Sequence, residues 1–126
     1  MLSSALAVFV GAGLGALARW GLSLALNGEG RGLPLGTLAA NLLGGYLIGV
    51  AIAWLGQHPD LPPQVRLFLV TGCLGGLTTF STYSAEVVLL IQQERLTLAL
   101  ATAAAHLLGS LALTALGIAS VRALSA

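Results

Sequence analysis

Lysine is absent from this chain, and five arginines stand against four carboxylates. The resulting net charge of +1 gives no field that would gather nucleic acid. Charged residues make up 7% of the 126, where soluble domains carry roughly 25%. So few charges cannot cover a water-facing surface, and the chain belongs in a bilayer. Cysteine occurs once, as Cys73, so no internal disulfide can form. Cys73 shares no cluster with His58 or His106, and it reads as a small helix-packing residue. No GxxxxGK[ST] run is present, which leaves an electrochemical gradient as the driving force for any transport. No basic region precedes the first apolar run, and Arg19 comes late. A cleaved secretory signal is therefore not expected, and the first segment should remain as a spanning helix.

What is present is apolar: 57% of residues. A hydrocarbon core needs about 20 such residues per helix. Four spans are expected, at about Ser4–Leu26, Leu35–Leu55, Gln64–Ile91 and Leu96–Val121. The turn-rich links Asn27-Gly-Glu-Gly and His58-Pro-Asp-Leu-Pro-Pro63 separate them. The links are short, which leaves one four-helix transmembrane domain over 1–126 and no soluble domain. Four spans put the termini and the 56–66 loop on one side, with Arg66 and Arg122. Arg31 and Arg95 fall on the other, joined by Arg19 if it snorkels that way. So even a count gives the positive-inside rule little to act on. The expected outcome is dual topology, in which copies insert both ways up and pair antiparallel. One four-helix chain is also too small to enclose a pore alone.

The third span carries the densest signal, Gly75-Gly-Leu-Thr-Thr-Phe-Ser-Thr-Tyr-Ser84. A glycine pair weakens a helix. Backbone freed from helical pairing is tolerated at bilayer depth only when buried in protein or lining a water-filled path. Hydroxyls could instead bond back to carbonyls one turn earlier in a straight helix. Five hydroxyl residues (Thr78, Thr79, Ser81, Thr82 and Ser84) follow the glycines, with Phe80 and Tyr83 among them. That density favours a functional break. Phe80 and Tyr83 are three apart and share a face, and aromatic rings have positive edges. Such edges beside hydroxyl donors can hold a small, hard anion.

Gly11 and Gly15, like Gly45 and Gly49, are GxxxG pairs that permit close helix approach. Asn41 lies well inside the second span, where an unbonded amide is costly. It either bonds a neighbouring helix or offers its NH2 to an anion. In the fourth span Thr102, His106, Ser110 and Thr114 are spaced by four and form one slowly drifting stripe. The stripe serves as interhelical glue or as one wall of a polar track, and its apolar surroundings favour the track. Arg19 either snorkels, lines a vestibule or caps carbonyls at a helix end. Glu86 sits in a vestibule or pairs with an arginine.

Three motifs together resemble the Fluc (CrcB) fluoride channels: Gly75 to Ser84, Gly36-Thr-Leu-Ala-Ala-Asn-Leu-Leu-Gly-Gly45, and Gly11-Ala-Gly-Leu-Gly-Ala-Leu-Ala-Arg-Trp20. They occur in the order and at the spacing of that family. The resemblance implies passive export of fluoride across the bacterial inner membrane by an antiparallel homodimer with two separate pathways. It implies pathway roles for Asn41, Phe80, Ser81, Thr82 and Tyr83, and for His106, Ser110 and Thr114 on the fourth helix. Tyr83 stands where the family usually has a second phenylalanine. It also implies a structural sodium ion at the dimer centre, held by the backbone carbonyls of Gly75 and Thr78. Fluoride is small and strongly hydrated, and Asn, Ser and Thr supply donors without the deep trap of a buried arginine. The main alternative is a small dual-topology proton-coupled exporter. It would need a titrating intramembrane carboxylate, and Glu86 is the single candidate. A membrane enzyme would need a grouped nucleophile and base or a metal cluster, which the sequence does not offer.

Overall fold

A computed structural model describes residues 1–28 and 33–126. Arg31, counted above for topology, lies outside the described residues, as does part of the 27–30 link. The helices are α1 (Leu2–Leu26), α2 (Leu35–Gly56), α3 (Pro63–Arg66), α4 (Gly75–Leu77), α5 (Phe80–Gln92) and α6 (Leu96–Ser125). Leu67–Leu74, between α3 and α4, forms π-helical turns. The segment from Pro63 to Gln92 makes one span, so four segments are long and apolar enough to cross a membrane.

The packing is that of a membrane protein. Inside lie small residues: Gly11 and Gly15 of α1, and Gly36, Ala40, Gly44, Gly45 and Gly49 of α2. Outside lie the large apolar ones, such as Phe9, Leu17, Trp20, Leu108 and Leu111. Lipid solvates these as well as a core would, so association rests on close backbone approach. Both expected GxxxG pairs serve that purpose. A methyl on Gly15 would strike the Cys73 carbonyl oxygen, and one on Gly11 the Phe68 carbonyl oxygen, so α1 seats on the π-helical turns. A methyl on Gly49 would strike the Thr114 carbonyl oxygen, and one on Gly117 that of Tyr46, which brings α2 and α6 together.

Local bonds fix the links. The Asn27 side chain at the end of α1 accepts the Gly36 N–H at 2.7 Å, satisfying a free donor at the start of α2. Gln57 bonds Ser125, and Gln64 bonds Ser3. These bonds place both termini at the same end as the 57–64 link. α5 ends with Glu94 at φ 59°, where Arg95 N–H reaches Leu90 O and Glu94 N–H reaches Ile91 O. This is the double bond of a Schellman ending, here built without glycine.

The third span is interrupted, but not at the glycines. Gly75 is helical at φ −63°, ψ −36°. The extended residues are Thr78 (φ −87°, ψ 156°) and Thr79 (φ −149°, ψ 116°). Gly76 is spent on proximity instead, since a methyl there would strike the Ala12 carbonyl oxygen of α1.

Candidate functional site

Extended backbone at bilayer depth needs partners, and Asn41 supplies them. Its Oδ1 accepts the Thr79 N–H at 2.8 Å, and its Nδ2 donates to the Thr79 carbonyl at 3.0 Å. The amide thus pairs with both backbone groups of one residue, as a neighbouring strand would. Its second amide hydrogen points to His106 Nδ1, at 3.0 Å. Both donors of Asn41 are therefore engaged within the chain, which makes it a bracket joining α2, the break and α6.

The helix restarts under Thr79, which is the N-cap of α5. Its Oγ1 accepts the Thr82 N–H at 3.2 Å. The hydroxyls of Ser81 and Thr82 approach that same oxygen at 3.3 and 3.1 Å. Upstream, Arg19 Nε donates to the Gly76 carbonyl at 3.2 Å. Of the readings open to Arg19, this is the one in which it caps a helix end.

Beside the break lies a groove of about 640 Å³. It gathers Gly75, Thr78 and Phe80 from the third span with Asn41 from α2. Tyr83, His106, Ser110 and Thr114 complete its polar and aromatic wall. Phe80 and Tyr83 meet edge to face, with centroids 5.4 Å apart at 74°. Tyr83 stacks on His106 at 4.4 Å. The Tyr83 hydroxyl donates to the Ala103 carbonyl at 3.0 Å, so it is turned onto the α6 backbone. Thr114 directs its hydroxyl to Gly45 O at 2.8 Å and Ser110 O at 2.9 Å, combining glue with back-bonding. Phe80 is 78% exposed and forms an open edge of the groove.

Two expected residues stand apart from this groove. Ser81 and Thr82 are exposed in the first turn of α5 and do not line it. The α6 stripe also divides. Residues four apart drift by about 40° per step on a 3.6-residue helix, and Thr102 opens onto a second cavity of about 620 Å³. That cavity also holds Glu86, Gln93 and Arg95. Both Glu86 carboxylate oxygens are buried, and among the described residues they have the Thr37 side chain near them but no hydrogen bond of good geometry. Thr79 is the participant that sequence reasoning passed over. Its signal was a threonine placed just ahead of a resumed helical run, a residue type favoured at helix N-caps.

The family model described as CrcB-like protein, Camphor Resistance (CrcB), matches residues 6–118. The chain belongs to the CrcB family. Full-length relatives agree with this assignment. The chain is 63% identical to the fluoride-specific ion channel FluC of Variovorax paradoxus, over all of both chains. It is 60% identical to FluC of Burkholderia cenocepacia strain J2315, over 98% of this chain and 96% of that one. For FluC of Polynucleobacter asymbioticus the identity is 57%, over 91% and 92%. The match to the CrcB model reaches into all four apolar spans.

Proposed function

We propose that this protein is a fluoride-specific ion channel, and not an enzyme, that passes fluoride down its electrochemical gradient and relieves the cell of it. The observation that carries this reading is the groove beside the broken helix. The open ring of Phe80 and the Ser110 hydroxyl meet there without a fixed positive charge, beside the Asn41 amide and the Thr114 hydroxyl, whose hydrogens are held within the chain until an ion competes for them. Donors of that kind replace part of a hydration shell yet let the ion leave. Ser81 and Thr82 belong to the pathway from the other face of the break, toward a second copy. The functional unit is an antiparallel homodimer in the bacterial inner membrane, with the open edge at Phe80 closed by the partner.

Liposome efflux read by a fluoride electrode tests the activity. Phe80→Ile should leave the dimer folded on gel filtration and cut flux at least about tenfold, the equivalent of about 1.4 kcal/mol at the barrier. Wild-type flux in that variant would remove the rings from the mechanism. Flux that follows an imposed proton gradient would instead favour the exporter, with Glu86 as its coupling group.

A sodium ion fits the break. The Gly75 carbonyl would ordinarily accept from Thr79, whose N–H is diverted to Asn41. The Thr78 carbonyl would accept from Thr82, whose N–H is diverted to Thr79 Oγ1. Left without those donors, the two carbonyls of each chain are hard oxygen ligands suited to an alkali cation. Bound there, the ion would be structural, neutralising carbonyl dipoles at the subunit interface. Crystals grown in sodium should show density on the two-fold axis between the Gly75 and Thr78 carbonyls of both copies. Finding those carbonyls turned away from the axis and hydrogen-bonded elsewhere would refute the assignment.

A further inference from the structure

His106 lines both cavities, the groove beside the break and the second one holding Glu86. It is 4% exposed, and the Tyr83 ring covers one of its faces. The hydrogen bonds of Asn41 determine where its proton sits. Oδ1 must be the atom that meets the Thr79 N–H, because only an oxygen accepts it. The atom facing His106 Nδ1 is then the NH2 group. An NH2 donates and cannot accept, so Nδ1 carries a lone pair and the ring proton is on Nε2. Nε2 makes no hydrogen bond among the described residues, and the ring that carries it lines both cavities.

We propose that Asn41 holds His106 as the neutral Nε2–H tautomer, and that this N–H is the donor that hands the anion from one cavity to the other. The second part rests on the fluoride-channel reading. Much of the surrounding wall is apolar, including Leu107 and Leu111 in the groove and Leu38 and Leu89 in the second cavity. The Glu86 carboxylate would oppose an anion rather than draw it. A neutral ring N–H lowers the cost of crossing between cavities without creating a charged trap. Thr102, one turn earlier on α6, is a further donor in the second cavity, which Gln93 and the cationic Arg95 also line.

The tautomer is measured directly by ring ¹⁵N spectroscopy of the wild-type protein in lipid bilayers. The chain has two histidines, so a His58→Gln sample assigns the signals. His106 should show a protonated Nε2 and an unprotonated Nδ1 at neutral pH. Sodium fluoride should shift the Nε2–H signal, and sodium gluconate at equal concentration should not. Protonation at Nδ1, or an Nε2–H unmoved by fluoride in a conducting sample, overturns the proposal. In liposomes, His106→Asn keeps an acceptor for Asn41 but loses the distal N–H, and efflux should fall about tenfold. His106→Gln returns a distal N–H and should recover part of it. Wild-type efflux from a folded His106→Asn protein also overturns the proposal. If neither variant folds, the fluoride titration of the wild type decides. If the wild type itself passes no fluoride, the channel reading fails, while the tautomer stands or falls on the ring spectrum alone.

Discussion

Asn41→Asp is expected to abolish fluoride efflux while the protein still elutes as a folded species. The aspartate retains an oxygen for the Thr79 N–H. It loses the two donations to the Thr79 carbonyl and to His106 Nδ1, each worth about 1 kcal/mol net. In their place it sets an anionic oxygen against two acceptors, on the wall of the groove proposed as the anion's path. The buried carboxylate costs more than the lost bonds. Liposome efflux and gel filtration on the same preparation check this. Efflux near wild type from intact protein would confine Asn41 to bracing the break.

Biasing the orientation should have an equally large effect. Both termini lie at the same end as the 57–64 link, so Arg66 and Arg122 share a side. Arg19 turns onto the Gly76 carbonyl inside the fold and drops out of the interfacial count. Two or three lysines added to the 56–66 loop should hold that loop in the cytoplasm. If pairing is antiparallel, cells carrying only this version lose fluoride resistance, and co-expression of an oppositely biased copy restores it. Immunoblotting controls for expression, and cysteine labelling for orientation. Full resistance from a single version shown to insert one way would exclude antiparallel pairing.

The four spans were legible because hydropathy alone demands them, and the observed limits differ from those expected by only a few residues at most ends. The glycine pairs in α1 and α2 were equally legible, since close approach is what GxxxG supplies. The break was legible in kind but misplaced by three residues. A glycine serves either a kink or a close contact, and sequence does not say which; Gly76 serves contact with Ala12. The polar partners of Asn41 were not legible, because they come from residues 38 and 65 positions away. The stripe on α6 was read as one wall, and its drift divides it between two cavities. The π-helical turns left no trace in the residues, since a wide turn is set by how neighbouring helices pack and has no composition of its own.

Those wide turns constrain how the gene can vary. Each turn of Leu67–Leu74 takes up more chain than an α-turn would, so the stretch acts as a spacer that sets the angular phase of everything after it. Loss of one codon there would alter that phase and turn the downstream residues away from their partners. Gly76 would leave α1, and Thr79 would leave Asn41. Exchange of one apolar side chain for another in the outward positions disturbs neither contact. The segment is therefore permissive in spelling and strict in length, and among its relatives insertions and deletions should be scarcer there than in the links between spans.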